Sequence, residues 1–225
     1  MRTTVNHPAR RLPGAAAILF ACAVLAGCAS SERAPNTDYD FGPATPLAQP
    51  AAAATPAAIV VMDVTGPTAL DSERMYYRLN YADAQQARTY ASARWSATPL
   101  DLVTARVKTR LAQSGMKVLS ATDASNGVPI LRIEIDDFVH AFPAADRSEG
   151  QVMLRASVFT DHRLVDQRSF ARSAPGPSND AAGGARALAA GTDGVAADIQ
   201  AWLATLDTRM PAASLSSQSR PAPRQ

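Results

Sequence analysis

Residues 128–140 read VPILRIEIDDFVH, and their parity decides the fold. Leu131, Ile133 and Ile135 alternate with Arg132, Glu134 and Asp136. That is the period of a strand with one face on a core and the other in water. At Asp136-Asp137 the phase slips by one residue, so Phe138 and His140 change parity, which predicts a β-bulge.

Toward the C-terminus, residues 151–160 and 164–172 are two further extended runs across Asp161-His162-Arg163, the signature of a hairpin. Residues 180–206 carry Leu188, Val195, Ile199, Trp202, Leu203 and Leu206 on one helical face. Gly183, Gly184, Gly191 and Gly194 weaken the first half of that helix and predict a bend or fraying there.

Toward the N-terminus, residues 117–119 are a short strand. Before them, Thr98-Pro99-Leu100-Asp101 opens a helix. Thr98 can cap, proline suits the first helical position, and Asp101 complements the helix dipole. Leu100, Val103, Val107 and Leu111 share its face, and Gly115 closes it. Upstream, residues 75–81 and 88–95 form a hairpin around 82–86, and residues 58–65 (AIVVMDVT) are a strand closed by Gly66-Pro67. One-sided strands and two striped helices need each other. The expectation is an α/β single-domain sandwich, a largely antiparallel or mixed sheet with two main helices packed on it.

The first thirty residues assign a compartment. Arg2, Arg10 and Arg11 precede a 13-residue apolar run, 14–26, which ends in Leu25-Ala26-Gly27-Cys28. The run is shorter than the roughly 20 residues of a membrane span and has the layout of a secretory signal. LAGC resembles a bacterial lipobox, which makes Cys28 the expected lipidation site and residues 1–27 the signal peptide. Ala29 and Ser30, in place of aspartate, point to the outer membrane by analogy with enterobacterial sorting. Several acyl chains on one cysteine suffice for stable anchoring, since each buried CH₂ contributes about 0.8 kcal/mol.

Residues 28–57 are rich in alanine and proline and read as a tether, at about 3.1 Å per residue where extended, spanning up to roughly 90 Å. Asp38-Tyr39-Asp40-Phe41-Gly42-Pro43 interrupts it, either as linker sequence or as a hook that docks on the domain. The domain itself is expected over 58–208, and 209–225 has the composition of a disordered tail.

Removal of 1–27 takes three of the 22 basic residues and none of the 20 acidic ones, leaving a net charge of −1. This matters for residues 75–99, MYYRLNYADAQQARTYASARWSATP, which hold four of the five tyrosines, interleaved with arginine. Such interleaving suits a single-stranded nucleic-acid platform. A near-neutral body outside the cytoplasm argues against it, because nucleic-acid affinity rests on neutralising phosphates. The stretch reads better as a hairpin. One face, with Tyr76 or Tyr77 and Trp95, packs under the 98–115 helix. Tyr76, Tyr77, Arg78 and Arg94 are the candidate protein-contact residues, being types that dominate interface hot spots.

Asp136-Asp137 with His140 is the best acid–base or metal candidate, although a third ligand would have to come from elsewhere. No HExxH, CxxC, GxSxG or phosphate-loop pattern is present. The expectation is no catalytic residue, no metal and no cofactor. Asp161-His162 belongs to a turn, and Ser92, Ser96 and Ser157 have no nearby His–Asp partner in sequence.

The ordered set of lipobox, YDFGP island, Tyr76-Tyr77-Arg78, Tyr90, Arg94-Trp95, TPLD helix, ILRIEIDDF strand, VMLRASVF strand and IQAWL helix end resembles the ABC-type transport auxiliary lipoprotein family, the PqiC-like partners of MCE-protein lipid transporters. The resemblance covers about residues 38–206. It implies a non-enzymatic accessory subunit at the outer-membrane side. That subunit would contact an MCE-domain protein and its ABC permease/ATPase complex, with room for a homo-oligomer. The glycine-rich start of the last helix and the long C-terminal tail depart from many members. Two alternatives stay open: a small periplasmic hydrolase, which would need a nucleophile–base pair, and a generic envelope-assembly lipoprotein.

Overall fold

The computed structural model describes residues 36–46, 57–123 and 127–206. Cys28, the tail from 209 and most of the 28–57 stretch lie outside the described residues.

The alternating strand is the spine. It spans β6, Ile130–Ala144, and one edge pairs antiparallel along its length with β7, Arg147–Thr160. Strand β8, Arg163–Pro175, continues the antiparallel ladder beyond β7. The other edge of β6 is divided. Its start pairs in parallel with β2, Ala58–Val61, at Val60↔Ile130 and Val61↔Leu131. Its end pairs in parallel with β3, Arg74–Arg78, at Tyr77↔His140 and Arg78↔Ala141. Strand β5, Lys117–Leu119, flanks β2, and β4, Ala87–Trp95, forms the expected hairpin with β3. With β1, Thr37–Tyr39, the mixed sheet has eight strands.

The parity of the spine fixes the layers. Leu131, Ile133 and Ile135 share one core with Val152, Leu154 and Val158 of β7, each 2 % exposed or less. The same core takes Val103, Val107 and Leu111 of helix α1, Pro99–Gln113, and Leu188, Val195, Ile199 and Leu203 of helix α2, Ala181–Leu203. On the opposite face of the spine, Glu134 accepts from Arg155 at 2.7 Å and Arg132 lies over Phe159 at 4.8 Å. The α/β sandwich is therefore the observed fold, with both helices contributing to one core.

Local signals are met where they are local. Thr98 Oγ1 accepts from the Asp101 amide at 3.2 Å and donates to the Asp101 carboxylate at 2.7 Å. The register with β7 shifts between Ile135 and Asp137, as the parity slip predicts. Asp161 and His162 both adopt positive φ, 47° and 66°, the backbone of a two-residue hairpin turn whose twist matches the flanking strands.

Helix α2 departs from expectation. It runs unbroken from Ala181 to Leu203, with Gly183, Gly184 and Gly191 buried, rather than bending or fraying. The reason is close approach. A Cβ on Gly184 would lie 2.4 Å from His140 Nδ1, and a Cβ on Gly150 of β7 would lie 2.4 Å from the Leu188 amide nitrogen. Packing against the sheet outweighs the helix propensity that glycine gives up.

The 38–43 island is a hook. Thr37–Tyr39 adds in parallel to β4, with Asp38↔Arg94 and Tyr39↔Trp95. The Ser96 amide donates to the Tyr39 carbonyl at 2.8 Å. Phe41 packs edge-on against the buried Trp95 ring, with centroids 5.6 Å apart, and 6.1 Å from Phe138. So one of the two rings against Trp95 comes from this segment, the other being Phe138 of β6, and the sheet takes a strand from within the stretch read as tether.

Arg106 of α1, only 6 % exposed, donates to the Phe41 and Gly42 carbonyls. Arg110 donates to the Thr45 carbonyl at 2.6 Å and forks onto Asp193 of α2 at 2.7 and 2.5 Å. That hydrogen-bonded carboxylate pushes the Arg110 pKa up. Two arginines and one aspartate thus join hook, α1 and α2.

Candidate functional site: a cleft where the sheet forks

Four residues of β6, Asp136 to Val139, lie between its two parallel partners. Thr65 bridges β6 at Glu134, its carbonyl accepting from the Ile135 amide at 2.8 Å, and pairing resumes at His140 with Tyr77. The gap holds a cleft of about 230 Å³, floored by Leu70, Phe138 and Val139 and walled by Pro67, Ala69, Tyr76 and Ala87. Asp136, Asp137 and Arg78 supply its polar part.

The bulge shapes this cleft. Asp137 Oδ1 accepts from the Phe138 amide at 3.1 Å, which stabilises the irregular backbone. The same carboxylate takes the Arg78 guanidinium, Nη1 to Oδ2 at 3.0 Å and Nη2 to Oδ1 at 3.5 Å. This pair joins β3 to β6 across the fork and is about one-quarter exposed on each side. The cleft thus combines an apolar floor with one fixed charge pair.

The four candidate contact residues divide. Tyr76 and Arg78 line the cleft. Tyr77 is half-buried against Tyr90 and Phe142, at centroid distances of 4.7 and 6.1 Å. Arg94 is on the other side of the hairpin, where its Nε donates to Asp38 of the hook at 2.7 Å. That bond holds the Asp38 carboxyl below its usual range. Trp95 is 1 % exposed, on the core face as expected.

The acid–base candidates are separated. Asp137 is committed to Arg78, whereas His140 is fully buried beneath Gly184 of α2. Its Nδ1 is 2.8 Å from Tyr90 Oη, and its Nε2 has no hydrogen-bond partner among the described residues. Burial pushes the imidazole pKa down to about 4 and the Tyr90 pKa up. Among the described residues, no three His, Cys, Asp or Glu side chains gather as a metal site. Ser157 accepts from Gln167 at 2.8 Å.

Sequence reasoning missed Leu70, Pro67 and Ala69 as cleft residues. Their signal was the Gly66-Pro67 stop after β2, which marks where one edge partner leaves β6.

The sequence matches the model of the ABC-type transport auxiliary lipoprotein component over residues 39–200. The chain belongs to this family. The match starts within the hook and ends in the last turns of α2, so it spans the cleft and the three-way junction around Asp193. Among solved structures, the chain is similar to XCC0632 from Xanthomonas campestris, assigned to DUF330. That similarity has a TM-score of 0.58 and 19 % identity, and covers 76 % of this chain and 86 % of the other. A second crystal structure, of an uncharacterized protein, aligns with TM-score 0.53 and 14 % identity over 65 % of this chain and 91 % of that one. At these identities the likeness shows the fold. No curated protein matches the sequence. The family is an auxiliary component of transport, and no helix among the described residues is long and apolar enough to cross a membrane.

Proposed function

We propose that this chain is a non-enzymatic outer-membrane lipoprotein, acylated at Cys28, that serves an MCE/ABC-type lipid transport system through protein contact in the periplasm. The observation that carries the reading is the family match over 39–200, which runs from the hook to the last turns of α2. The working surface is the fork cleft and its rim, with Tyr76 and Arg78 as contact residues and Tyr77 and Arg94 supporting the hairpin that carries them. Its partners are the MCE-domain protein and, through it, the ABC permease/ATPase complex. The cleft's apolar floor and single charge pair suit a partner side chain better than a reaction.

The test is crosslinking of membranes with a photoreactive residue in place of Tyr76. Recovery of an MCE-domain protein, reduced by Arg78→Ala in a variant with unchanged melting, is the expected result. Consistent recovery of an outer-membrane assembly component in its place would move the chain to envelope assembly.

A further inference from the structure

We propose that the free edge of β8 takes a ninth strand: an extended segment of a partner protein, acidic on the side of the helices and apolar on the other. The inference is independent of Cys28 acylation and of the fork cleft.

The strands at the margins of the sheet are unequal. β1 and β5 have three residues each, whereas β8 has thirteen and among the described residues pairs with β7 alone. The phase of the ladder identifies the free groups. The Gly176 amide donates to the Ser148 carbonyl at 2.8 Å, one step beyond Glu149↔Pro175. Hydrogen-bonded and non-hydrogen-bonded pairs alternate along an antiparallel ladder. Arg168, Phe170 and Arg172 therefore bond to β7, whereas Ser169, Ala171 and Ser173 turn their amides and carbonyls outward. Pro175, which has no amide hydrogen, falls in the outward set, as this phase requires. The Gln167 amide, also outward, donates to the Asp166 carboxylate.

The two faces of this edge differ. On the helix side, Phe170 packs on Trp202 with centroids 5.6 Å apart, and Arg172 Nε donates to Asp198 at 2.6 Å. Arg168, exposed on that side, makes no ion pair among the described residues. On the other side, Ser169, Ala171 and Ser173 are small and exposed, so nothing bulky shields the backbone. Ala171 lies opposite Met153, which is 46 % exposed. A large apolar side chain entering beside Ala171 reaches over it to that thioether.

Proteins guard open edges with short strands, proline and charge. The guard on β8 is selective. A second copy pairing antiparallel along this edge would bring two Arg168 and two Arg172 side chains onto one face, and like charges across strands repel. The chain's own residues 207–225 carry three arginines against one aspartate, the same sign as Arg168. An acidic strand from another protein meets no such repulsion. Main-chain bonds to the edge supply its affinity, and alternate side chains supply its register.

The experiment uses the full-length protein and a nine-residue peptide of alternating glutamate and isoleucine, with a peptide of alternating lysine and isoleucine as control. Amide exchange is followed residue by residue by NMR. In the protein alone, the Ser169, Ala171 and Ser173 amides should exchange much faster than those of Phe170 and Arg172. The glutamate peptide should slow these three several-fold, and the lysine peptide should leave them unchanged. Ala171→Pro removes an outward amide while sparing the ladder to β7, and at unchanged melting it should abolish the effect. Arg168→Ala should weaken peptide binding several-fold. Protection of the three amides in self-associated protein without peptide overturns the proposal in favour of a second copy. No slowing by the glutamate peptide, equal slowing by both peptides, or undiminished binding in both variants overturns it as well.

Discussion

The guanidinium of Arg106 lies over the Phe41 ring, 5.7 Å from its centroid, and donates to the carbonyl of the same residue. One buried cation thus holds both the side chain and the backbone of a segment 65 residues away. Arg106→Ala should cost about 1–3 kcal/mol, because it leaves the part-buried Phe41 and Gly42 carbonyls without their donor, while Asp193 keeps Arg110. Hydrogen exchange should rise first at residues 37–42, with the β6–β7 ladder still protected. Uniform protection in the variant would show that the hook docks without this arginine.

Trp95→Ala should be more damaging, at roughly 3–5 kcal/mol, since it opens a cavity between Phe41 and Phe138. Thermal melting is the measurement. Arg94→Ala removes an exposed pair with Asp38 and should change melting little.

His140 makes stability depend on pH. Its folded-state pKa is pushed down to about 4 by burial, below the ordinary 6.5. The unfolded chain therefore binds the proton first, and stability falls as pH drops from about 6.5 to about 4, by up to about 3 kcal/mol. Asp180 opposes the shift, while Tyr90 offers a single hydrogen bond to the ring. Denaturant midpoints against pH should flatten in this window for His140→Gln.

The glycines of the α2 contact should respond in opposite senses. Gly150→Ala sets a methyl against the backbone of Ala187 and Leu188 and should destabilise by about 1–3 kcal/mol. In Gly194→Ala the new atom meets only the flexible Arg172 side chain, at 3.4 Å, and the change should stabilise by about 0.5–1 kcal/mol. Melting temperatures moving in the same direction would refute this account of the helix.

These contrasts explain what the sequence could reveal. The cap of α1, the bulge at Asp136-Asp137 and the Asp161-His162 turn rest on neighbours within a few residues, so pattern alone found them. Docking of the hook depends on Trp95 and Arg106, more than fifty residues away, and left linker and hook equally open. Gly184 looked like a helix weakness because propensity does not register a histidine ring arriving from another element. Asp137 and His140 looked like joint ligands because they are three residues apart, yet the bulge turns one to Arg78 and buries the other under α2. Tyr76 and Arg78 were legible as contact-type residues. The cleft between them and Leu70 was not, because it exists only where two strands share one edge.

The way β1 closes the sheet also orders events in time. The hairpins β3–β4, β6–β7 and β7–β8 join residues close in the chain, whereas β1–β4, β2–β6 and β3–β6 each close a loop of more than fifty residues. Such closures lose more chain entropy and come late. The hook also needs α1 and Asp193 of α2 in place before its carbonyls find donors. Completion of folding is thus the step that turns residues 37–42 from loose chain into part of the sheet and core.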